Sequence, residues 1–133
     1  MNLLFTSVGR RSYLLKYFRD AMEECDRIFA ANSTALNPAF LQADESIVTP
    51  TIYDSDYIPF LLRYCKEKKI YILEMNARFG GGYPFSHLAG VDLPKAIINW
   101  LNGKQVALDL LSPRIGIIGQ KDINLICLPE KVL

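Results

Sequence analysis

Apolar residues occur along this chain in short runs that alternate with segments of helical periodicity. Three runs are rich in strand-forming residues and stop at strand-breaking ones, and they cover residues 2–8, 27–32 and 46–50. Residues 11–24 instead carry apolar side chains at helical spacing, namely Leu14, Leu15, Phe18 and Met22. A strand, a glycine turn, an amphipathic helix and a second strand within about thirty residues are typical of a βαβ unit. The pattern therefore predicts an α/β fold with a small Rossmann-like parallel sheet and flanking helices.

A second amphipathic helix is predicted before residue 70, and a short one is expected at residues 38–44. The longer helix begins at Asp54 or Asp56 and runs to about Lys69. Pro59 fits its first turn, where the backbone N–H that proline lacks is not needed. The predicted inner face of this helix consists of Ile58, Leu61, Leu62 and Cys65.

The C-terminal half has a less regular pattern. Residues 70–76 are predicted to form the next strand, and a third helix is predicted from Asp92 to Gly103. The apolar face of that helix is expected to be Ala96, Ile97, Trp100 and Leu101. Two apolar runs around a polar turn at residues 115–128 indicate a hairpin or two short strands.

Composition narrows the class of protein. The chain has 133 residues, 50% hydrophobic and 22% charged, so one packed domain of ordinary size is expected. The net charge of +1 gives no electrostatic reason to expect nucleic acid or an anionic membrane as a partner, and no apolar run approaches the roughly 20 residues of a membrane span. Cys25, Cys65 and Cys127 are odd in number and far apart, which indicates reduced thiols, mostly packed inside, in a cytoplasmic protein.

The most unusual segment, EMNARFGGGYPF, covers residues 74–85. Strand alternation puts Glu74, Asn76 and Arg78 on one surface, each roughly 6 to 7 Å from the next. A carboxylate and an amide supply the oxygen ligands that Mg²⁺ takes, and a guanidinium binds phosphate through its fork of donors. The segment therefore predicts a site for Mg²⁺ and phosphate.

Three glycines, Gly80, Gly81 and Gly82, follow this row directly. Without a Cβ, they let a ligand approach the backbone closely. The alternative interpretation is structural, because a Glu and an Arg on a half-exposed strand are often its solvated face and a glycine run is often only a loop.

A second candidate site lies in the turn after the first strand. Gly9, Arg10 and Arg11 place backbone N–H groups and two guanidinium groups at a helix start, where they can bind an anion. A solvated turn is the alternative. His87, the only histidine, has no second histidine or cysteine spaced to join it, so a packing or hydrogen-bonding role is expected. Lys121 is expected in a turn, with a phosphate contact as the alternative.

The Glu-x-Asn-x-Arg pattern followed by glycines resembles the last motif of the ATP-grasp superfamily. This resemblance implies that Glu74 and Asn76 hold the magnesium ions of MgATP and that Arg78 contacts phosphate or an acyl-phosphate intermediate. Residues 71–104 look like the C-terminal part of carbamoyl-phosphate-synthase-like ATP-grasp proteins. The other segments that resemble these proteins, mainly in their Rossmann-like pre-ATP-grasp domain, are residues 1–18, 35–70 and 112–122.

The same resemblance predicts that a segment is missing. In the family, the adenine pocket, the phosphate-binding lysines, the lid and a first magnesium carboxylate lie between the two blocks, whereas here the blocks join near Ile70 and Tyr71. The predicted organisation is a pre-ATP-grasp domain at residues 1–70 and a C-terminal ATP-grasp remnant at residues 71–133, packed on the same sheet. Residues 70–76 would then replace the next strand of the N-terminal sheet.

The resemblance implies an ATP- and Mg²⁺-dependent ligation in which a small-molecule carboxylate becomes an acyl phosphate. A site that lacks the adenine pocket and the phosphate-binding lysines is expected to bind MgATP weakly or not at all. This chain alone is therefore expected to be inactive. The alternative is a non-catalytic α/β module that forms a homodimer or binds a partner to cover apolar surface. A split enzyme completed by a separate chain is a third interpretation.

Overall fold

A three-stranded parallel sheet forms the centre of the protein in a computed structural model that describes residues 1–9, 11–70 and 81–122. The strands are β1 (Asn2–Thr6), β2 (Arg27–Asn32) and β3 (Glu45–Val48). The central strand β2 pairs in parallel with β1 on one side and with β3 on the other. The three strands predicted before residue 50 are therefore confirmed, with small differences at their ends.

Four α-helices lie in the described ranges, namely α1 (Ser12–Ala21), α2 (Tyr57–Glu67), α3 (Tyr83–Leu88) and α4 (Leu93–Leu101). Two 3₁₀ turns accompany them, at Pro38–Gln42 and Leu108–Leu111. The predicted helices are confirmed with shorter ends, whereas α3 was not predicted. Residues 115–122 form no strand, and the rest of the hairpin or pair of strands expected at residues 115–128 lies outside the described residues.

Helices cover the sheet on both faces. One face contributes Leu3, Phe5, Ile28 and Ala30 to a cluster with the inner side of α1, and this cluster also takes in Tyr83 and Ile98. The other face, including Leu4, Phe29 and Ala31, packs against α2 through Tyr57, Leu61 and Cys65. Parallel strands buried on both faces by helices define an α/β, Rossmann-like arrangement, as the hydrophobic pattern predicted.

The ends of α4 are fixed by the residues that the sequence indicated. The Asp92 carboxylate accepts a hydrogen bond from the Lys95 N–H at 3.1 Å, and Pro94 lies in the first turn. Gly103 follows the helix with a φ of +66°, a left-handed conformation that glycine adopts without strain. At α2, by contrast, Asp56 is the N-cap residue but its side chain does not cap the helix.

Four apolar residues predicted in the helical core are exposed, and they are Ile58, Leu62, Trp100 and Leu101. On α2 the buried residues are Tyr57, Leu61 and Cys65, so the side that carries Ile58 and Leu62 is turned away from the core. On α4 the buried side chains are Pro94, Ala96 and Ile98, and Ile98 packs into the cluster that contains α1. Helical periodicity thus identified the helices but not the direction in which each one faces.

Charged residues hold the amino ends of the strands together. The Asp44 carboxylate accepts a hydrogen bond from the Ile28 N–H at 2.6 Å and forms an ion pair with Arg19 of α1. Burial by itself would raise the pKa of Asp44, but the hydrogen bond from Ile28 and the charge of Arg19 outweigh burial and lower the pKa. The buried Asp26 carboxylate pairs in a similar way with the N-terminal ammonium group, and its pKa is also lowered.

A buried leucine of α1 and an exposed leucine of α2 provide a test of the core assignment. Leu15 is fully buried on α1, whereas Leu62 of α2 is 56% exposed. We expect Leu15→Ala to lower the free energy of unfolding by about 2–5 kcal/mol, because it removes buried methyl groups and leaves a cavity. Leu62→Ala should change it by less than about 0.5 kcal/mol. Urea unfolding of both variants measures the free energy of unfolding. An equal decrease in the two variants would contradict the core assignment.

Replacing Asp44 by Asn should reduce the acid sensitivity of folding. Because the pKa of Asp44 in the folded protein lies below its unfolded value of about 3.9, the ionised carboxylate stabilises the fold above that pH. This contribution is lost as pH falls through the folded pKa. Urea unfolding between about pH 6 and pH 2 should therefore show a smaller pH dependence for Asp44→Asn than for the unaltered protein. Asp20→Asn, on the exposed side of α1, is the control for loss of one negative charge.

Candidate functional site

The carboxyl ends of the parallel strands meet at one edge of the sheet, where α/β proteins bind their ligands. After β1 the chain turns through Ser7, with a φ of +54°, and Gly9, with a φ of +58°. The Ser7 N–H donates to the Ala31 carbonyl oxygen at 2.9 Å, which anchors the turn to the end of β2. Asn32 at that end donates to the Thr34 hydroxyl at 2.9 Å. The edge is therefore polar, and its first turn holds a non-glycine residue in a conformation seen mostly at functional or strained positions.

The predicted Gly9–Arg11 turn lies at this edge. Gly9 needs the flexibility of glycine because its φ is positive, and Arg11 is the N-cap residue of α1 without a capping side chain. Arg10 lies outside the described residues. The turn joins the end of β1 to the start of α1, the position at which Rossmann-like folds bind anions.

The second predicted segment is described only in part. Glu74, Asn76, Arg78 and Gly80 lie outside the described residues. Gly81 and Gly82 are described, and both are exposed. A Cβ built on either one would meet no atom of the described residues within 4 Å, and neither has a φ in the left-handed region. Neither packing against the described residues nor backbone conformation therefore requires glycine at these two positions.

Tyr83 connects this glycine turn to the rest of the fold. Its buried hydroxyl accepts a hydrogen bond from the Leu93 N–H at 3.1 Å and lies 3.2 Å from His87 Nδ1. Its ring centre is 6.1 Å from that of Tyr17 on α1. Burial raises the pKa of Tyr83, and the charge of Asp92 raises it further, whereas the hydrogen bond from the Leu93 N–H partly offsets these effects. The Tyr83 hydroxyl therefore stays neutral. Tyr83 was not predicted as a site-positioning residue, and its place directly after the glycine run was the available signal.

His87 packs rather than acting as a base. Its ring stacks on Tyr17 with 3.8 Å between ring centres, and its Nδ1 atom faces the Tyr83 hydroxyl. The packing or hydrogen-bonding role predicted for His87 is therefore confirmed.

Residues 112–122, which we call the strap, lie along α3. The Lys121 ammonium group donates to the Gly81 carbonyl oxygen and lies 5.6 Å from the centre of the Phe85 ring. At the other end of α3, the Arg114 N–H donates to the Ala89 carbonyl oxygen at 2.8 Å. Lys121 does not lie in a turn, contrary to expectation.

The comparison with protein families decides what kind of domain this is. Residues 3–75 match the model of a protein family that is described as "PylC-like, N-terminal domain". The chain belongs to this PylC-like family. Its N-terminal domain is a pre-ATP-grasp-type domain of the ATP-grasp superfamily, and the chain is thus an ATP-grasp-related ligase family member. No curated protein matches the chain.

The PylC-like match continues beyond the join predicted near Ile70 and Tyr71, because it ends at Met75. Residues 71–75 are therefore matched together with β1, α1, β2, β3 and α2. In the structure, the Asn2 side chain donates to the Lys68 carbonyl oxygen at 2.8 Å, so the end of α2 lies beside the start of β1.

Within the described part of this PylC-like chain, no group of three or more His, Cys, Asp or Glu residues could hold a metal ion. The predicted magnesium ligands Glu74 and Asn76 lie outside that part. Cys65 is buried, and burial raises the pKa of its thiol, whereas Cys25 is exposed. Cys127 lies outside the described residues, so the prediction that the cysteines are mostly packed inside stays a prediction. The helices described include none long and apolar enough to cross a membrane.

Proposed function

We propose that this PylC-like chain is a shortened ATP-grasp protein of the carbamoyl-phosphate-synthase-like type. The reaction of the full-length type would join a small-molecule carboxylate to a nucleophile through an acyl phosphate, with ATP and Mg²⁺. Membership of the PylC-like family supports the pre-ATP-grasp half. The resemblance of residues 71–104 to the last ATP-grasp motif supports the second half.

In this proposal Glu74 and Asn76 are the magnesium ligands, and Arg78 is the catalytic residue that contacts phosphate. Carboxylate and amide oxygens suit Mg²⁺, and a bound Mg²⁺ would neutralise charge on the phosphate oxygens. The Arg78 guanidinium would bind a phosphate oxygen through two donors at once. Gly9, Arg10 and Arg11, at the carboxyl end of β1, would bind the substrate carboxylate or a phosphate.

The exposed Gly81–Gly82 turn carries the proposal. A glycine that the fold itself does not need costs backbone entropy in folding, so its presence calls for another cause. Close approach of a ligand to the backbone is such a cause, and the open space at both positions would permit it. The turn follows the proposed phosphate contact at Arg78 within four residues, which places both features in one short segment.

We further propose that the chain binds MgATP weakly and does not turn over by itself. One carboxylate and one amide displace little of the hydration shell that Mg²⁺ holds strongly. A site with a single wall also stays in contact with water, which weakens the charge interactions that stabilise a phosphoryl transition state.

Titration calorimetry with MgATP tests the site. We expect measurable heat with the unaltered protein and none with Glu74→Ala, because the magnesium carboxylate is lost. Gly82→Ala should weaken binding by roughly three- to tenfold while leaving urea stability nearly unchanged, since its Cβ meets only the incoming ligand.

Glu67→Ala is the matched control for that experiment, because Glu67 is an exposed glutamate of α2. It should bind MgATP as the unaltered protein does. No heat with any of these proteins would rule out the nucleotide site, and equal heat with Glu74→Ala would remove Glu74 from it.

The surface of the C-terminal half favours a second candidate, a non-catalytic module that forms a homodimer. The described residues after α4 expose large apolar side chains, with Ile115 at 93% and Ile118 at 95% exposure. Trp100 of α4 and Leu108 are exposed as well. Apolar residues concentrated in this way often mark a surface that another chain covers.

Light scattering after gel filtration tests the dimer. We expect a mass near twice that of the chain, and Ile118→Asp should shift it toward the monomer because it places a charge in the covered surface. Ile58→Asp is the control, since Ile58 is an exposed isoleucine of α2 on the opposite face of the sheet. A monomer at high protein concentration would exclude this candidate.

A further inference from the structure

We infer that Lys121 positions the Gly81–Gly82 turn, and that the strap at residues 112–122 holds α3 so that the turn can receive an anionic ligand. The inference rests on the proposed function, because it assigns a role within that site to a segment far away in sequence.

Two cationic side chains of the strap hold opposite ends of α3. Lys121 reaches back across forty residues of sequence to the Gly81 carbonyl oxygen, just before the helix. The Arg114 guanidinium lies 3.4 Å from the Leu88 carbonyl oxygen and 3.5 Å from that of Ala89, just after it. Helix α3 has only six residues, too few to be stable without such contacts.

Close packing between these two contacts fixes the strap against α3. A Cβ added to Gly119 would lie 2.5 Å from Leu88 Cδ2 and 3.5 Å from Phe85 Cδ1. The backbone of the strap therefore lies directly on the side chains of α3. The Lys121 ammonium group then passes over the Phe85 ring before it reaches Gly81.

In the described residues, the Lys121 ammonium group contacts the backbone of the turn from a distant part of the sequence. Gly81 and Gly82 are exposed, and no side chain of their own can anchor them. A hydrogen bond from an ammonium group is stronger than one between neutral groups, and it restrains the peptide after Gly81. The same ammonium group places a positive charge beside the surface that the proposed phosphate would approach.

Three variants of the full chain separate positioning from general stability. Lys121→Met removes the ammonium group, Lys121→Arg retains a positive donor, and Lys66→Met removes an exposed lysine of α2 as a control. We expect Lys121→Met to speed hydrogen exchange at the Gly82 and Tyr83 amides and to weaken binding of MgATP and of magnesium pyrophosphate, each by roughly fivefold. Lys121→Arg should keep hydrogen exchange and ligand binding close to those of the unaltered protein. Urea stability should be similar in all variants.

The outcomes distinguish this inference from the proposed function. If the unaltered protein binds the ligands and Lys121→Met neither loosens the turn nor weakens binding, the role of Lys121 is overturned and the proposed function stands. If the unaltered protein binds neither ligand, the proposed function fails and the binding role of Lys121 fails with it. Equal effects in Lys66→Met would also overturn the inference, because they would reflect lost charge alone.

Discussion

The parallel pairing of β1 with β2 is the constraint on which the rest of this structure depends. Parallel neighbours cannot be joined by a short turn, so the chain must cross one face of the sheet through α1 before β2 begins. The crossover buries Leu14, Leu15 and Phe18 against that face, and α2 covers the other face after β3. The same pairing brings the carboxyl ends of all three strands to one edge. The turn at Gly9 lies at that edge, and the ends of β1 and β2 position it.

A second constraint connects the N-terminal and C-terminal parts of the described chain. Tyr83 packs its ring into the cluster that contains β1 and α1, and its hydroxyl binds the backbone at the start of α4. Ile98 joins the same cluster from α4. Both parts therefore bury apolar surface in one core, although the family match ends at residue 75. This shared core keeps the Gly81–Gly82 turn at a fixed position relative to α1.

Gly81 and Gly82 support the proposed ligand site because the described fold does not need glycine at either position. Gly9 is explained by its positive φ, whereas Gly81 and Gly82 are explained neither by conformation nor by packing. Exposed glycines of that kind weaken a fold slightly, and close approach of a ligand is a physical reason to keep them. The chain has a pre-ATP-grasp-type domain, and a nucleotide with a divalent cation is the ligand that we propose for it.

The sequence by itself determined the α/β class, the three strands, α1, α2 and α4, because these elements follow from local periodicity and from residues such as Asp92 and Gly103. It also identified His87 as a packing residue. Only the tertiary structure decided which side of each helix is buried. Leu62 and Trp100 are exposed because packing against the sheet and α1 covers only part of each apolar stripe. The short helix α3, the anchor at Tyr83 and the contact of Lys121 with Gly81 were equally beyond the sequence. Contacts between residues far apart in the chain leave no period in it, so only the packed structure reveals them.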